Sequence, residues 1–240
     1  LTITFFSKIR KRTGFCSGKG INMLLENISE LVGCEEKEGT IKDDLEEAID
    51  HGILVSKLAY QLSKELPENS EFAYTMAQAG MLHDIGKLKL GQHLYGRSKD
   101  TLVVEEMKYI RMHPEIGFKI LKQHDYNTVL LEAIHHHHEN YDGSGYPHNL
   151  KGETIPLGGR ILRICDVYAA LISDRRYRAA FDKEAAIRLM IEEVKNFDMN
   201  IFLKFLGIVH SKEFKSIDKF VEDINKKNYM WRKILHDGFY

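Results

Sequence analysis

His135-His136-His137-His138-Glu139-Asn140-Tyr141-Asp142-Gly143-Ser144-Gly145-Tyr146-Pro147 carries a run of imidazoles off what reads as a helix end and into a turn. Asp142-Gly143, Gly145 and Pro147 either tolerate positive φ or fix φ, so this backbone can reverse sharply and approach a ligand closely. Imidazoles on a rigid helix followed by such backbone are what a metal or phosphate site commonly needs. A solvated polar helix end would show the same letters. Partner ligands elsewhere in the chain decide between the two.

Working outward, Thr128–His138 has the spacing of a helix with Asn127 as its N-cap. Before it, His113-Pro114-Glu115-Ile116-Gly117 opens a helix with proline at a favoured first position, where His113 has the bland alternative of a cap. Val103–Met112 reads as another helix, reached from residues 88–106 through a polar loop. Glu71–Lys87 is helical and leads small and apolar residues straight into His83-Asp84, a place where polar groups need partners. Asp43–Leu66 carries one apolar stripe, with Asp43 and Glu46 as a capping box and Pro67 after its end. On that helix Glu47 and His51 stand one turn apart and point the same way; alone, they read as a surface pair.

Beyond the turn, Leu157–Ser173 is apolar on most sides, yet Asp166 sits in its middle. A carboxylate there is costly unless it is paired or holds a metal, with a salt bridge to Arg160 or Arg163 as the weaker alternative. Asp174-Arg175-Arg176-Tyr177-Arg178 follows as a compact cationic loop, solvated surface in most proteins and a phosphate clamp beside a metal site. Asp182–Lys195, Ile201–Val209, Ile217–Asn225 and the tail around Trp231 read as helices. No stretch of strand period and no repeat appears, so the predicted class is all-α.

The 240 residues balance 34 Lys+Arg against 35 Asp+Glu, and this near-neutral total argues against DNA or RNA as a partner. Cys16, Cys34 and Cys165 are odd in number and widely spaced, which suits reduced thiols in a cytoplasmic protein. No apolar run reaches the length of a membrane span. Residues 1–40 read as an extension with a basic segment (Lys8 to Arg12), a helix over 21–33 and a linker, Glu35–Thr40. The organisation expected is this extension, a domain over 41–211 and a helical tail over 212–240.

Glu47, His51, His83, Asp84, His113, His137, His138 and Asp166 are the residues that fit their settings poorly without a common partner. Five imidazoles and three carboxylates exceed one tetrahedral zinc site and suit two or three octahedral ions of iron or manganese type. Two adjacent ions clamp the attacking and leaving oxygens of an in-line phosphoryl displacement.

The order His…His-Asp-Ile-Gly-Lys…His-Pro-Glu-Ile-Gly…His-His-Glu-Asn-Tyr-Asp-Gly-Ser-Gly-Tyr-Pro…Asp-Val-Tyr-Ala-Ala-Leu resembles the HD-GYP family, a branch of the HD-domain metal-dependent phosphohydrolases that degrades cyclic di-GMP. The resemblance covers roughly residues 41–211 and implies an HD-domain helical bundle with HD-GYP extension helices. By position it makes His51, His83, Asp84, His113, His137, His138 and Asp166 metal ligands, with Asp84 bridging two ions. Glu47 matches the extra ligand of members that hold a third metal. Lys87 matches a residue that assists at the scissile phosphate, and Tyr146, Arg175 and Arg178 fall on the substrate side. His135 and His136 become bystanders, with His135 a candidate donor behind the ligands. The chain departs from the family pattern at Ala169, at Arg176 and in the loop Leu88–His93, none of which is a ligand.

The function this implies is a phosphodiesterase that opens cyclic di-GMP to linear pGpG, or onward to GMP, in bacterial signalling. A catalytically weak cyclic-dinucleotide sensor and a phosphohydrolase of another cyclic dinucleotide are the alternatives. Family members often pair through helices, which makes the N-terminal helix a candidate homodimer surface.

Overall fold

The computed structural model describes residues 40–87, 90, 104–175 and 178–237. The expected helix over 21–33, the basic segment, Cys16, Cys34, Arg176 and nearly all of the linker and of the loop after Lys87 lie outside them. All regular elements among the described residues are helical, and the class is all-α as the spacing predicts.

Helix α1, Thr40–Lys64, buries Ile53, Leu58, Ala59 and Leu62 of the stripe read from the sequence, together with Leu54 and Val55, which lie outside it, while Ala48 of that stripe is exposed. It starts at Thr40 rather than Asp43, so Asp43 lies within the helix and does not begin it. Helix α2, Ser70–Leu82, is capped by Asn69, whose side-chain oxygen accepts from the Phe72 N–H at 2.8 Å. A Cβ on Gly80 would stand 2.8 Å from the Ser56 nitrogen, and its absence lets α1 and α2 cross closely.

The expected single helix Glu71–Lys87 is interrupted. It ends at Leu82, turns at His83-Asp84 and resumes over 85–87. The His83 Nδ1 bonds the Gly80 carbonyl at 2.8 Å, and a side chain that claims a backbone acceptor competes with the helical ladder. Gly86 then packs on the next segment so tightly that a Cβ would meet the His113 carbonyl oxygen at 2.1 Å.

Helices α3 (Val104–Ile110), α4 (His113–Lys122) and α5 (Thr128–His135) follow. Pro114 lies in the first turn of α4, and His113 does not cap it: no side-chain cap bond is made at that end. Asn127 caps α5 as expected, accepting from the Leu130 N–H at 2.8 Å. Helix α5 stops at His135 instead of His138, because His136 and His137 turn their Nδ1 atoms onto the carbonyls of Glu132 and Ile134.

Helix α6, Leu157–Ile172, is the central element, with Ile161, Leu162, Ile164, Cys165, Tyr168 and Ala169 fully buried. It packs against α1, α2, α5 and two later helices, α7 (Lys183–Glu192) and α8 (Met199–Val209). Asp182 and Asp198 cap these two through their carboxylates. Ile217–Asn225 and the tail form one helix, α9 (Lys215–Asp237), which lies on α1. Asn225 clips it to the end of α6, accepting from Asp174 N–H at 2.8 Å and donating to the Ile172 carbonyl at 2.9 Å.

Gly86→Ala forces the His83-Asp84 turn away from the start of α4, an overpacking that costs about 1–3 kcal/mol. Urea unfolding is expected to show this loss, whereas an unchanged midpoint would mean the two segments are not held in contact.

Candidate metal centre

Three imidazoles are oriented by the same device. His83, His113 and His137 each place Nδ1 on the carbonyl three residues earlier, Gly80 at 2.8 Å, Ile110 at 2.6 Å and Ile134 at 2.6 Å. A neutral ring that donates from Nδ1 keeps its lone pair on Nε2. All three rings are fully buried, and the His113 Nε2 lies 3.1 Å from the Nε2 atoms of both His137 and His138. Facing lone pairs of His113 and His137 cannot bond each other and call for a cation between them.

Asp84 stands at the middle. Its Oδ1 is 3.2 Å from His113 Nε2 and 3.9 Å from His137 Nε2, while Oδ2 is 3.4 Å from His83 Nε2 and 2.7 Å from Lys87 Nζ. On the far side, Asp166 Oδ1 lies 2.9 Å from His51 Nε2 and 3.6 Å from His83 Nε2. Two donor sets result, His51–His83–Asp84 and Asp84–His113–His137–His138, with the donor atoms of each within 4.8 Å of one another. His83 Nε2, His51 Nδ1 and Asp84 Oδ1 are buried without a hydrogen-bond partner. The donors are nitrogen and carboxylate oxygen without thiolate, a set that fits ions of iron, manganese or zinc type.

The alternative salt bridges for Asp166 are not formed. Arg160 pairs with Asp198 at 2.6 Å, and Arg163 donates to the Asn140 side chain at 2.9 Å. Burial opposes ionisation of both Asp84 and Asp166. For Asp84 it is outweighed by Lys87, His83 and His113, and for Asp166 by His51 and His83; both carboxyls end well below the usual range. Burial pushes His51 down, and, with the neighbouring imidazoles, pushes His137 well down. Burial also takes His138 to about 3. It pulls on His83 too, but Asp84 and Asp166 prevail there and raise that ring. Anionic carboxylates beside mostly neutral imidazoles are the protonation states that ligands need.

The structure thus brings together His51, His83, Asp84, His113, His137, His138 and Asp166. Glu47 is half-buried on α1 one turn before His51 and belongs to neither donor set. The Tyr146 ring stacks on His138 at 4.7 Å, with the Arg111 guanidinium 5.4 Å from its centre. Arg178 is engaged elsewhere: its guanidinium donates to the carbonyls of Ala170, Leu171 and Ala179 and lies over Phe181. Arg175 and Arg178 exchange backbone hydrogen bonds across the loop. His135 does not sit behind the ligands; it bonds Glu115. The sequence gives no role to Arg111 and marks Glu139 only as part of the motif after the histidines. Arg111 stands two places before His113, and Glu139 uses its buried carboxylate to accept from the backbone N–H groups of His148 (2.7 Å) and Leu150 (3.0 Å).

A family model described as "HD domain" matches residues 35–201. Among curated proteins, the cyclic di-GMP phosphodiesterase PA4108 of Pseudomonas aeruginosa is 33% identical over 160 residues, 66% of this chain and 38% of that protein. The 3'3'-cGAMP-specific phosphodiesterase 1 of Vibrio cholerae is 33% identical over 154 residues, 63% of this chain and 36% of that protein. The chain therefore spans well under half the length of these relatives. Among solved structures, Bd1817, an HDG"Y"P protein from Bdellovibrio bacteriovorus, superposes with a TM-score of 0.57 at 19% identity, covering 88% of this chain and 68% of that one. That likeness concerns the fold.

Imidazoles held below 6.5 make the metal-free fold acid-sensitive. Between 6.5 and the depressed values, the unfolded chain binds protons that His51, His137 and His138 refuse, so stability falls as pH drops through that window. His83 works in the opposite sense, contributing stability below 6.5 that is lost as pH rises through its raised value, but three rings outweigh one. Chelator-treated protein is expected to melt at least about 4 °C lower near pH 5 than near pH 7. Equal melting temperatures would refute the neutral state of these rings.

Proposed function

Because the chain belongs to the HD-domain family, and within it to the HD-GYP branch, we propose that it is a metal-dependent phosphodiesterase that opens cyclic di-GMP to linear pGpG, and onward to GMP where the linear product rebinds. The observation that carries this reading is the division of Asp84, one oxygen toward His83 and the other toward His113. A carboxylate split in this way suits two adjacent ions, and such a pair supplies Lewis-acid stabilisation and an activated water for in-line displacement at phosphorus.

The protein's own groups have distinct tasks in this reading. His51, His83 and Asp166 would hold one ion and His113, His137 and His138 the other, with Asp84 placed to serve both. Glu47, one helical turn from His51, is assigned to a third ion. Iron and manganese are the metals favoured, since mixed nitrogen and carboxylate ligation suits them. Lys87, half exposed and 2.7 Å from Asp84, places an ammonium at the edge of the cluster, where it neutralises charge developing on the phosphate and the departing 3′-oxygen. Tyr146 and Arg111 offer a ring face and a cation on the same side. Arg175 and Arg178 are assigned to the outer phosphate, a role for which the Arg178 guanidinium has to leave its carbonyl partners. The reading sets the protein in the cytoplasm, with pairing through residues 1–40. Among the described residues no helix is long and apolar enough to cross a membrane.

A relative specific for 3'3'-cGAMP at equal identity favours a second reading, a hybrid cyclic dinucleotide as the preferred substrate. Anaerobic protein loaded with Fe(II) or Mn(II) and assayed for metal content and for hydrolysis of both dinucleotides decides. Cyclic di-GMP left intact by metal-replete protein would sink the leading reading, and tight binding without turnover would identify a sensor instead.

Asp84→Ala is expected to lose more than one ion, and unchanged stoichiometry by elemental analysis would remove its bridging role. Glu47→Ala is expected to lose a single ion relative to the wild type; equal contents would dismiss the third site. Lys87→Ala is expected to keep the metals and slow turnover by about 10²–10³.

A further inference from the structure

His135, His136 and His148 belong to neither donor set, and the chemistry above uses none of them. Their rings nevertheless converge, with centroids 4.7 Å apart for His135–His136, 4.9 Å for His135–His148 and 5.4 Å for His136–His148. One nitrogen from each lies within 4.8 Å of the other two. His135 and His136 are buried at the end of α5, and His148 is exposed. The backbone N–H of His148 is anchored on Glu139, so the exposed ring is carried on fixed backbone.

The hydrogen bonds around the three rings leave lone pairs available. His136 Nδ1 lies 2.9 Å from the Glu132 carbonyl and 3.3 Å from the Glu132 carboxylate, which commits that nitrogen as donor and leaves Nε2 bare. His135 Nε2 lies 2.5 Å from a carboxylate oxygen of Glu115, which commits it in the same way and leaves Nδ1 bare. The other carboxylate oxygen of Glu115 pairs with Lys119 at 2.9 Å. A carboxylate or carbonyl on the far nitrogen is how proteins orient imidazoles that bind metal.

We propose that His135, His136 and His148 form a second site, separate from the cluster around Asp84, for a borderline divalent transition ion of the zinc class. Three imidazoles without a hard all-oxygen set select zinc, nickel or cobalt over magnesium and calcium. Nitrogens around a tetrahedral ion stand about 3.4 Å apart, so the rings have to close by at most about 1.4 Å. The exposed His148 ring supplies that movement. A fourth position is left for water. Such an ion ties the residue after the Gly-Tyr-Pro turn to the end of α5, on the outer side of the backbone that carries His137 and His138. The site stands whether or not the proposed hydrolysis does, because it uses none of its residues.

The test counts zinc. Full-length protein is stripped with chelator, incubated with excess Zn(II) alone, desalted and analysed for bound metal, in four forms: wild type, His148→Ala, Asp84→Ala and the double variant. Asp84→Ala perturbs the central cluster in the same way in both forms that carry it, so the difference between those two reports only the outer site. His148→Ala is expected to hold one ion fewer than the wild type, and the double variant one fewer than Asp84→Ala. Equal zinc within each of these pairs would overturn the proposal. His148 is exposed, and matching circular dichroism melts of wild type and His148→Ala exclude a folding defect as the cause of a lost ion.

Discussion

The structure depends on a bond between an imidazole and the last turn of a helix. Gly80, Ile110 and Ile134 lie in the closing turns of α2, α3 and α5, where backbone carbonyls lack helical partners. His83, His113 and His137 supply those partners from Nδ1. Each bond contributes only about 1 kcal/mol net, yet it ends a helix, selects a tautomer and aims Nε2 into the cluster at once. The negative ends of three helix dipoles thus close on one place, a setting that favours a bound cation.

That cation site is buried, so its charges have to be matched inside the protein. Asp84 and Asp166 stay ionised against burial because imidazoles and Lys87 surround them. The two arginines of α6 that stood as alternative partners of Asp166 are occupied elsewhere, Arg160 closing onto Asp198 at the start of α8 and Arg163 holding Asn140 beside the turn. The helix therefore uses its cations to fasten the surrounding elements and leaves its carboxylate to the metal side. The close packing at Gly80 and Gly86 serves the same end, bringing α1, α2 and the start of α4 near enough for His51, His83 and His113 to share neighbours.

The helices could be read in the sequence because burial leaves a period, and the residues that cluster around Asp84 because Asp166 violates that period and the motif order supplies its companions. Where α2 and α5 stop could not. Periodicity reports which face is covered, whereas the breaks at His83 and after His135 come from side chains capturing backbone carbonyls, and apolar spacing carries no trace of that. The cationic loop shows a related limit. Asp174-Arg175-Arg176-Tyr177-Arg178 displays its charge in the letters but not its acceptors, and Arg178 turns out to finish the C-terminal end of α6 through the carbonyls of Ala170 and Leu171. His148 was invisible as a partner of His135 and His136, since only the folded turn brings it back across the intervening residues.

The same turn explains why one run of histidines can serve two directions. Glu139, 1% exposed, spends both carboxylate oxygens on the backbone beyond Pro147. The Tyr146 N–H donates to the His138 carbonyl at 3.1 Å, and a Cβ on Gly145 would stand 2.2 Å from the Asn140 nitrogen. With no room for a side chain at Gly145 and both Glu139 oxygens bonded to its backbone, the loop cannot shift without dragging residues 138–140 along. His137 and His138 therefore face the buried cluster from a backbone braced on its outer side, while His135 and His136 point away from it toward His148. Tyr146 stacks on His138 as part of that brace, which couples whatever contacts its ring to the position of the His138 imidazole. The Gly-Tyr-Pro turn is in this sense a support for the buried histidine and aspartate cluster.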